Sequence, residues 1–223
     1  MTYKDFKAFE KDFTAVQSAA HAFHKTSRSL PNLSATDGWA LYQNTKKASL
    51  NIQVFGRHIF DAESAVRKFQ AETPVGTSRQ LPDFMVGLTN IEFANFGKAN
   101  AETSGSALLT GKDKWNFTMN DTWLLGGAHG HQQFHPASSI NYKNIFHNTF
   151  ILTITGRELF GLALAGYKEA MGHKTLGKIY VPSSKSKADA LDLVTYQVEL
   201  TKMTSLPIAQ EFFLKAGFEI LQA

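Results

Sequence analysis

Six apolar side chains, Phe6, Phe9, Phe13, Val16, Ala20 and Phe23, recur at alternating three- and four-residue intervals near the start of the chain. At 3.6 residues per turn that spacing stacks them in one stripe, so residues 3 to 26 are predicted to form a helix with a face that must be covered. Thr2 is its candidate N-cap, and Ser29-Leu30-Pro31-Asn32 supplies the turn chemistry that ends it. A second stripe, running from Leu41 through Thr45, Ala48, Ile52 and Phe55 to Phe69, predicts one long helix over about 36–72, kinked near Gly56. Two such helices joined by a short loop make an αα-hairpin.

Thr73-Pro74-Val75-Gly76-Thr77 closes the hairpin, and the pattern changes after it. Short apolar runs at Phe84–Leu88, Trp115–Met119, Trp123–Leu125 and Phe150–Ile154 read as strands, although Pro82–Phe96 fits a helix equally well. Thr155 and Glu158 have capping-box spacing and open a helix over about 156–171, which assigns Glu158 to capping and leaves Arg157 on the surface. Lys178–Val181 reads as a strand ending at Pro182, and Ser183–Lys187 as a loop. Val194–Leu200 alternates apolar and polar as a half-buried strand does; a helix is the alternative, because Ala188, Leu191, Val194 and Val198 share a face. Pro207–Ala216 reads as a helix stopped by Gly217. The expected class is α+β: a helical hairpin over 1–72 and a mixed α+β domain over 81–223, either as two units or as one continuous fold.

The 223 residues include no cysteine, which excludes disulfide frameworks, thiolate nucleophiles and cysteine-ligated zinc or iron–sulfur sites. No Gly-x-Ser-x-Gly elbow, Walker loop, Rossmann glycine fingerprint or His-Glu-x-x-His occurs either. No run approaches the roughly 20 apolar residues of a membrane helix, and the opening MTYKDFKAFEKDF lacks the basic start and unbroken apolar core of a signal peptide. The expectation is a soluble chain that is cytoplasmic or exported without a cleavable signal. A net charge of +4, spread along the chain rather than gathered in blocks, tolerates a phosphate-bearing substrate without indicating nucleic acid.

Four of the eight histidines, His129, His131, His135 and His147, fall close together, after Gly126-Gly127 and in a stretch where Asp121 is the one formal charge between Trp115 and Tyr142. Three readings compete. On an extended strand His129 and His131 would share a face and, with His135, hold a divalent metal. Alternatively, one neutral and one protonated imidazole would share acid–base roles, as ribonuclease-type phosphodiester cleavage requires. In the third reading the rings cap turns and hydrogen-bond to backbone.

His129-Gly130-His131 resembles the opening pair of the metallo-β-lactamase motif His-x-His-x-Asp-His, with Gln133 where that motif has Asp. It also resembles the first cupin motif, with Phe134 or His135 in the place of its glutamate. Gln197-x-Glu199, on the polar face of the predicted strand, resembles the Gln-x-Glu of arginine-directed ADP-ribosyltransferases, which implies that Glu199 holds the nicotinamide ribose and assists transfer. Another branch of that family uses His, Tyr and Glu, an order that His129, Tyr142 and Glu199 repeat.

The leading expectation is a small enzyme with its site on Gly126–His135, hydrolytic on a phosphate-bearing substrate. His129 and His131 act there as ligands or acid–base groups, with His135 and Glu199 as secondary candidates. The alternatives are a non-enzymatic protein that docks a partner through its N-terminal helices, and a translocated bacterial toxin or effector.

Overall fold

The computed structural model describes residues 2–23, 34–46, 52–55, 117–136, 138–147, 151–173 and 177–222. The first predicted stripe forms α1 (Phe6–Phe23), with Phe9, Phe13 and Val16 buried. It packs on α2 (Ala35–Lys46), where Phe9 meets the rings of Trp39 and Tyr42 at 5.3 and 5.7 Å. Gly38 makes the approach possible, since a Cβ there would stand 2.5 Å from the Phe13 ring. The long second helix is not formed. α2 ends at Lys46, and Ile52–Phe55 is a strand, β1. Ile52 and Phe55 suit a helical stripe in spacing, but Ile-Gln-Val-Phe also suits a strand in residue type, and pairing with a neighbouring strand decides between them. The remainder of that stripe, the Thr73–Thr77 break and the runs at Phe84–Leu88 and Pro82–Phe96 lie outside the described residues.

The largest correction concerns Trp115–Leu125. Two strands were expected, and the structure has one helix, α3 (Phe117–His129). Every residue from Thr118 to His129 is buried, so no polar face marks the helical period and the apolar residues read as short runs. Gly126 and Gly127 therefore lie inside a helix rather than at a strand end. A Cβ on Gly126 would meet the Tyr42 carbonyl oxygen at 2.8 Å, and one on Gly127 would meet the Phe134 ring at 2.6 Å. These glycines let α3 lie against α2 on one side and the sheet on the other.

After α3 come β2 (Gln133–Pro136), a single turn α4 (Tyr142–Ile145), the short strands β3 (Phe146–His147) and β4 (Ile151–Leu152), and α5 (Ile154–Leu164). Thr153, not Thr155, caps α5, accepting from Gly156 N at 3.0 Å. The helix stops at Gly166, φ +73°, and Tyr167–His173 becomes β5, where the sequence pattern had continued the helix to 171. The strand expected at Lys178–Val181 is present within β6 (Gly177–Pro182). Part of the expected loop at Ser183–Lys187 is instead the first turn of α6 (Lys185–Ala190), with Ser184 as its cap. Val194–Leu200 belongs to α7 (Leu193–Thr201), started by Asp192, which accepts from Thr195 N at 2.6 Å. That cap outweighs the alternating pattern and selects the helical alternative. α8 (Leu206–Lys215) begins with Pro207 in its first turn and ends before Gly217, φ +76°, as the sequence predicts.

The fold is α+β. One sheet runs in the order β1-β2-β6-β5, with β1 parallel to β2 and the other pairs antiparallel; β3 and β4 form a separate two-stranded pair. α3 lies between α2 and α5 and puts Trp123 on Phe134 of β2 at 5.8 Å. A single buried cluster joins Phe9, Phe13 and Tyr42 from the first helices to Phe134, Tyr180, Phe160 and Phe213 from the rest. Among the described residues no helix is long and apolar enough to cross a membrane.

Candidate functional site

α3 ends at His129, Gly130 follows, and His131 carries the chain out of the helix with φ +53°. The amide of His131 returns to the Ala128 carbonyl and that of Gln132 to the Gly127 carbonyl, both at 3.0 Å, the two bonds of a Schellman ending. The left-handed position of that motif is ordinarily glycine. Here glycine sits one place earlier, because a Cβ at Gly130 would lie 2.6 Å from the Lys46 carbonyl oxygen. The close approach of α2 thus claims the glycine and leaves His131, the one non-glycine residue with positive φ among those described, in a conformation that costs about 1–2 kcal/mol.

The three expected site histidines have different fates. His129 is 4% exposed and wedged between Tyr42 and the turn after α6. Its Nε2 lies 2.8 Å from the Leu191 carbonyl, which only accepts, so Nε2 carries the proton and Nδ1 accepts from the Tyr42 hydroxyl at 2.6 Å. Burial, with the charge of Lys46 adding to it, pushes the imidazole down to about 4. His129 is therefore neutral at pH 7, with both nitrogens engaged by protein. His135 sits on β2, buried, and donates from Nδ1 to the Lys178 carbonyl of β6 at 2.9 Å.

His131 differs from both. Its side chain is 26% exposed, and Nε2 lies 3.0 Å from Asp189 Oδ1 on α6. Among the described residues its Nδ1 makes no hydrogen bond. His147 is exposed on β3, away from this helix end.

Glu199 does not join them. It is on α7, paired with Lys202 one turn on. In a helix, residues two apart point to nearly opposite sides, so Gln197 and Glu199 lack the shared face that the ADP-ribosyltransferase resemblance requires. Neither do His129, His131 and His135 form a metal cage: among the described residues no group of three or more His, Asp or Glu side chains stands where one ion could be held. The sequence reading assumed an extended strand, on which alternate side chains align, and this backbone is instead a helix end, a turn and then a strand.

Sequence reasoning missed a second polar cluster. Arg157, expected at the surface, sends a terminal guanidinium nitrogen to Asp121 Oδ2 at 2.5 Å, with both side chains largely enclosed. Glu158, expected as a cap, is buried beside them, and burial together with the Asp121 charge pushes its carboxyl well above the usual range. Tyr196 donates to the Arg157 carbonyl at 2.7 Å. Asp121 Oδ1, Thr155 Oγ1 and Glu158 Oε2 are buried and find no hydrogen-bond partner among the described residues. The adjoining cavity, lined by Asp121, Gly161 and Tyr196 among others, is only about 10 Å³. That cavity, as the described residues line it, has room for about one water. The single charge in the Trp115–Tyr142 segment was the available signal, since a lone Asp in an otherwise uncharged, buried helix needs a cation from elsewhere.

Comparison with protein-family models, with curated proteins and with solved structures finds no match for this chain.

Proposed function

We propose that the chain is a small hydrolase in which His131 is the proton-transferring group and Asp189 its orienting partner. The observation that carries this is a partly exposed histidine held in a left-handed conformation, with one nitrogen on a carboxylate and the other, among the described residues, without a hydrogen bond. Asp189 accepts only, so a hydrogen of the ring stands on Nε2, and it is Nδ1 that would exchange a proton with substrate. This is the logic of a serine protease histidine with the two nitrogens exchanged. His129 is too deeply buried and too fully bonded to be the second member of an imidazole pair, so a single histidine carries both proton-acceptor and proton-donor steps. The net charge of +4 is compatible with a phosphate-bearing substrate. α1 and α2, as an αα-hairpin, would form the wall behind the site.

The test is cleavage of a fluorophore-quenched single-stranded RNA and of bis(4-nitrophenyl) phosphate, by the wild-type chain and by His131→Gly. Loss of a general acid–base group lowers the rate by about 10²–10⁴-fold. Equal rates in the two proteins would remove His131 from the chemistry, and no cleavage by the wild type would remove this substrate class. Growth arrest on expression inside bacteria, lost in His131→Gly, is the readout for the toxin or effector role.

One observation favours a non-enzymatic interaction protein. The described stripe residues Phe9, Phe13 and Val16 are core and unavailable for docking, but Val194 and Val198 on α7 and Ile208 and Leu214 on α8 are exposed, Leu214 by 78%. Leu214 borders a groove of about 220 Å³ with Phe146, Phe213 and Phe218. Under this reading Leu214→Lys abolishes the cellular effect, whereas His131→Gly leaves it intact.

A further inference from the structure

From the last turn of α6 to the first residue of α7 the chain is gripped at three alternate residues. Thr2 donates from its hydroxyl to Asp189 Oδ1 at 3.2 Å, His129 donates from Nε2 to the Leu191 carbonyl at 2.8 Å, and Leu193 N donates to the Tyr3 hydroxyl at 3.0 Å. The Tyr3 hydroxyl itself donates to Asp12 Oδ2 at 2.9 Å. Its backbone amide bonds the Tyr42 hydroxyl, which in turn donates to His129. The Tyr3 ring is buried against Phe9 and Tyr42, at centroid separations of 5.3 and 5.6 Å. The oxygen of Asp189 that accepts from Thr2 is the one that accepts from His131.

We infer that Thr2, Tyr3 and His129 are positioning residues: together they hold the Asp189 turn so that its carboxylate orients His131, and none of them touches substrate. This rests on the reading of His131 and Asp189 as the reacting pair. Asp189 is 46% exposed, and an ion pair at that exposure holds its own geometry poorly. Catalytic orientation requires placement within a fraction of an ångström, supplied by groups that are themselves locked. Tyr3 and His129 are such groups, each buried and fixed by further hydrogen bonds, and they clamp the backbone two and four residues beyond Asp189. Thr2 adds the direct contact. The arrangement also explains why a histidine with no free nitrogen sits two residues from the proposed base.

The test uses the full chain with Tyr3→Phe, Thr2→Val and Thr2→Ser. Amide hydrogen exchange reads the grip: in Tyr3→Phe, protection at Leu193 falls at least tenfold while Leu162 in α5 is unchanged. Labelling of His131 by diethyl pyrocarbonate, followed by mass spectrometry, reads the positioning without any substrate. Thr2→Val raises that rate about threefold, and Thr2→Ser restores it. On the RNA reporter, Thr2→Val lowers kcat three- to tenfold at unchanged KM, and Thr2→Ser recovers it.

Unchanged Leu193 protection in Tyr3→Phe overturns the grip. Labelling of His131 that is indifferent to Thr2→Val, or failure of Thr2→Ser to restore it, overturns the positioning role. If Tyr3→Phe does not fold, the Thr2 pair decides alone, since it alters one partly exposed hydroxyl. If the wild type leaves the reporter uncut, the hydrolase reading falls and exchange with labelling still decides the inference.

Discussion

Two polar clusters sit on the same helix, eight residues apart, and obey opposite rules. At the C-terminal end of α3 every polar atom of His129 is matched: Tyr42 donates to one nitrogen and Leu191 accepts from the other. Further up the helix Asp121 has its Arg157 partner, but Asp121 Oδ1 and Glu158 Oε2 find no hydrogen-bond partner among the described residues. The matched cluster reaches the surface through His131, whereas the unmatched one is sealed behind Leu124, Leu125 and Leu193. Strongly perturbed ionisable groups do not by themselves locate a site: the larger perturbations are in the more deeply buried cluster, whereas His131, beside the other, is 26% exposed.

The comparison breaks most visibly at Arg157. Removing one partner of a buried ion pair strands the other charge, so Arg157→Met should cost about 3–5 kcal/mol, read as a lower urea midpoint. A loss below about 1 kcal/mol would mean that Asp121 is solvated in some way the sealed cavity denies.

The next effect is the acid limb of stability. His129 has its folded-state value pushed down to about 4 from 6.5, so the unfolded chain binds more protons between those values. Its contribution is complete above pH 6.5 and is lost as pH falls from 6.5 towards 4. The total is about 3 kcal/mol, from a shift of about 2.5 units at 1.36 kcal/mol each. Urea titrations at pH 7 and pH 4.5 should show that loss, and His129→Gln, which cannot titrate, should reduce the difference between the two.

Glu158 acts with the opposite sign. Its folded-state value is raised, so its protonated form favours the native state below the unfolded value, and that advantage drains away as pH climbs through the range up to the raised value. Glu158→Gln mimics the neutral acid and should be more stable than the wild type at pH 8 but not at pH 4. Thermal melts at the two values check this.

The smallest effect on stability separates the two roles of His131. Glycine relieves the left-handed strain but gives up the Asp189 bond, so His131→Gly should leave the melting temperature level or raise stability by up to about 1 kcal/mol. Activity should nevertheless vanish. A variant that is no less stable yet inactive marks strain kept for function; one that is both stable and active marks an ordinary helix end.

Legibility followed exposure. α1 was readable because one face is wet and the other dry, and α8 because Pro207 and Gly217 bound it. α3 was not: with every residue from Thr118 to His129 buried, the periodic signal has nothing to contrast with. The density of imidazoles singled out this region in the sequence, yet the three residues predicted to act together are divided among a helix end, a turn and a strand. Asp189, Tyr42 and Tyr3 carried no local signal at all, because each matters through a partner dozens to nearly two hundred residues away.

What the sequence determined alone was local or compositional: a covered stripe in the first helix, the bounds of the last, an α+β balance and the exclusion of all cysteine chemistry. Tertiary contact decided the rest. Whether Ile52–Phe55 coils or extends depended on a neighbouring strand, whether Arg157 is wet or buried depended on Asp121, and which histidine kept a nitrogen unbonded depended on Tyr42 and Leu191. Short-range propensities differ by less than about 1 kcal/mol, whereas burying an apolar side chain or stranding a charge is worth several, so partners brought together by the fold overrule the preferences of the segment.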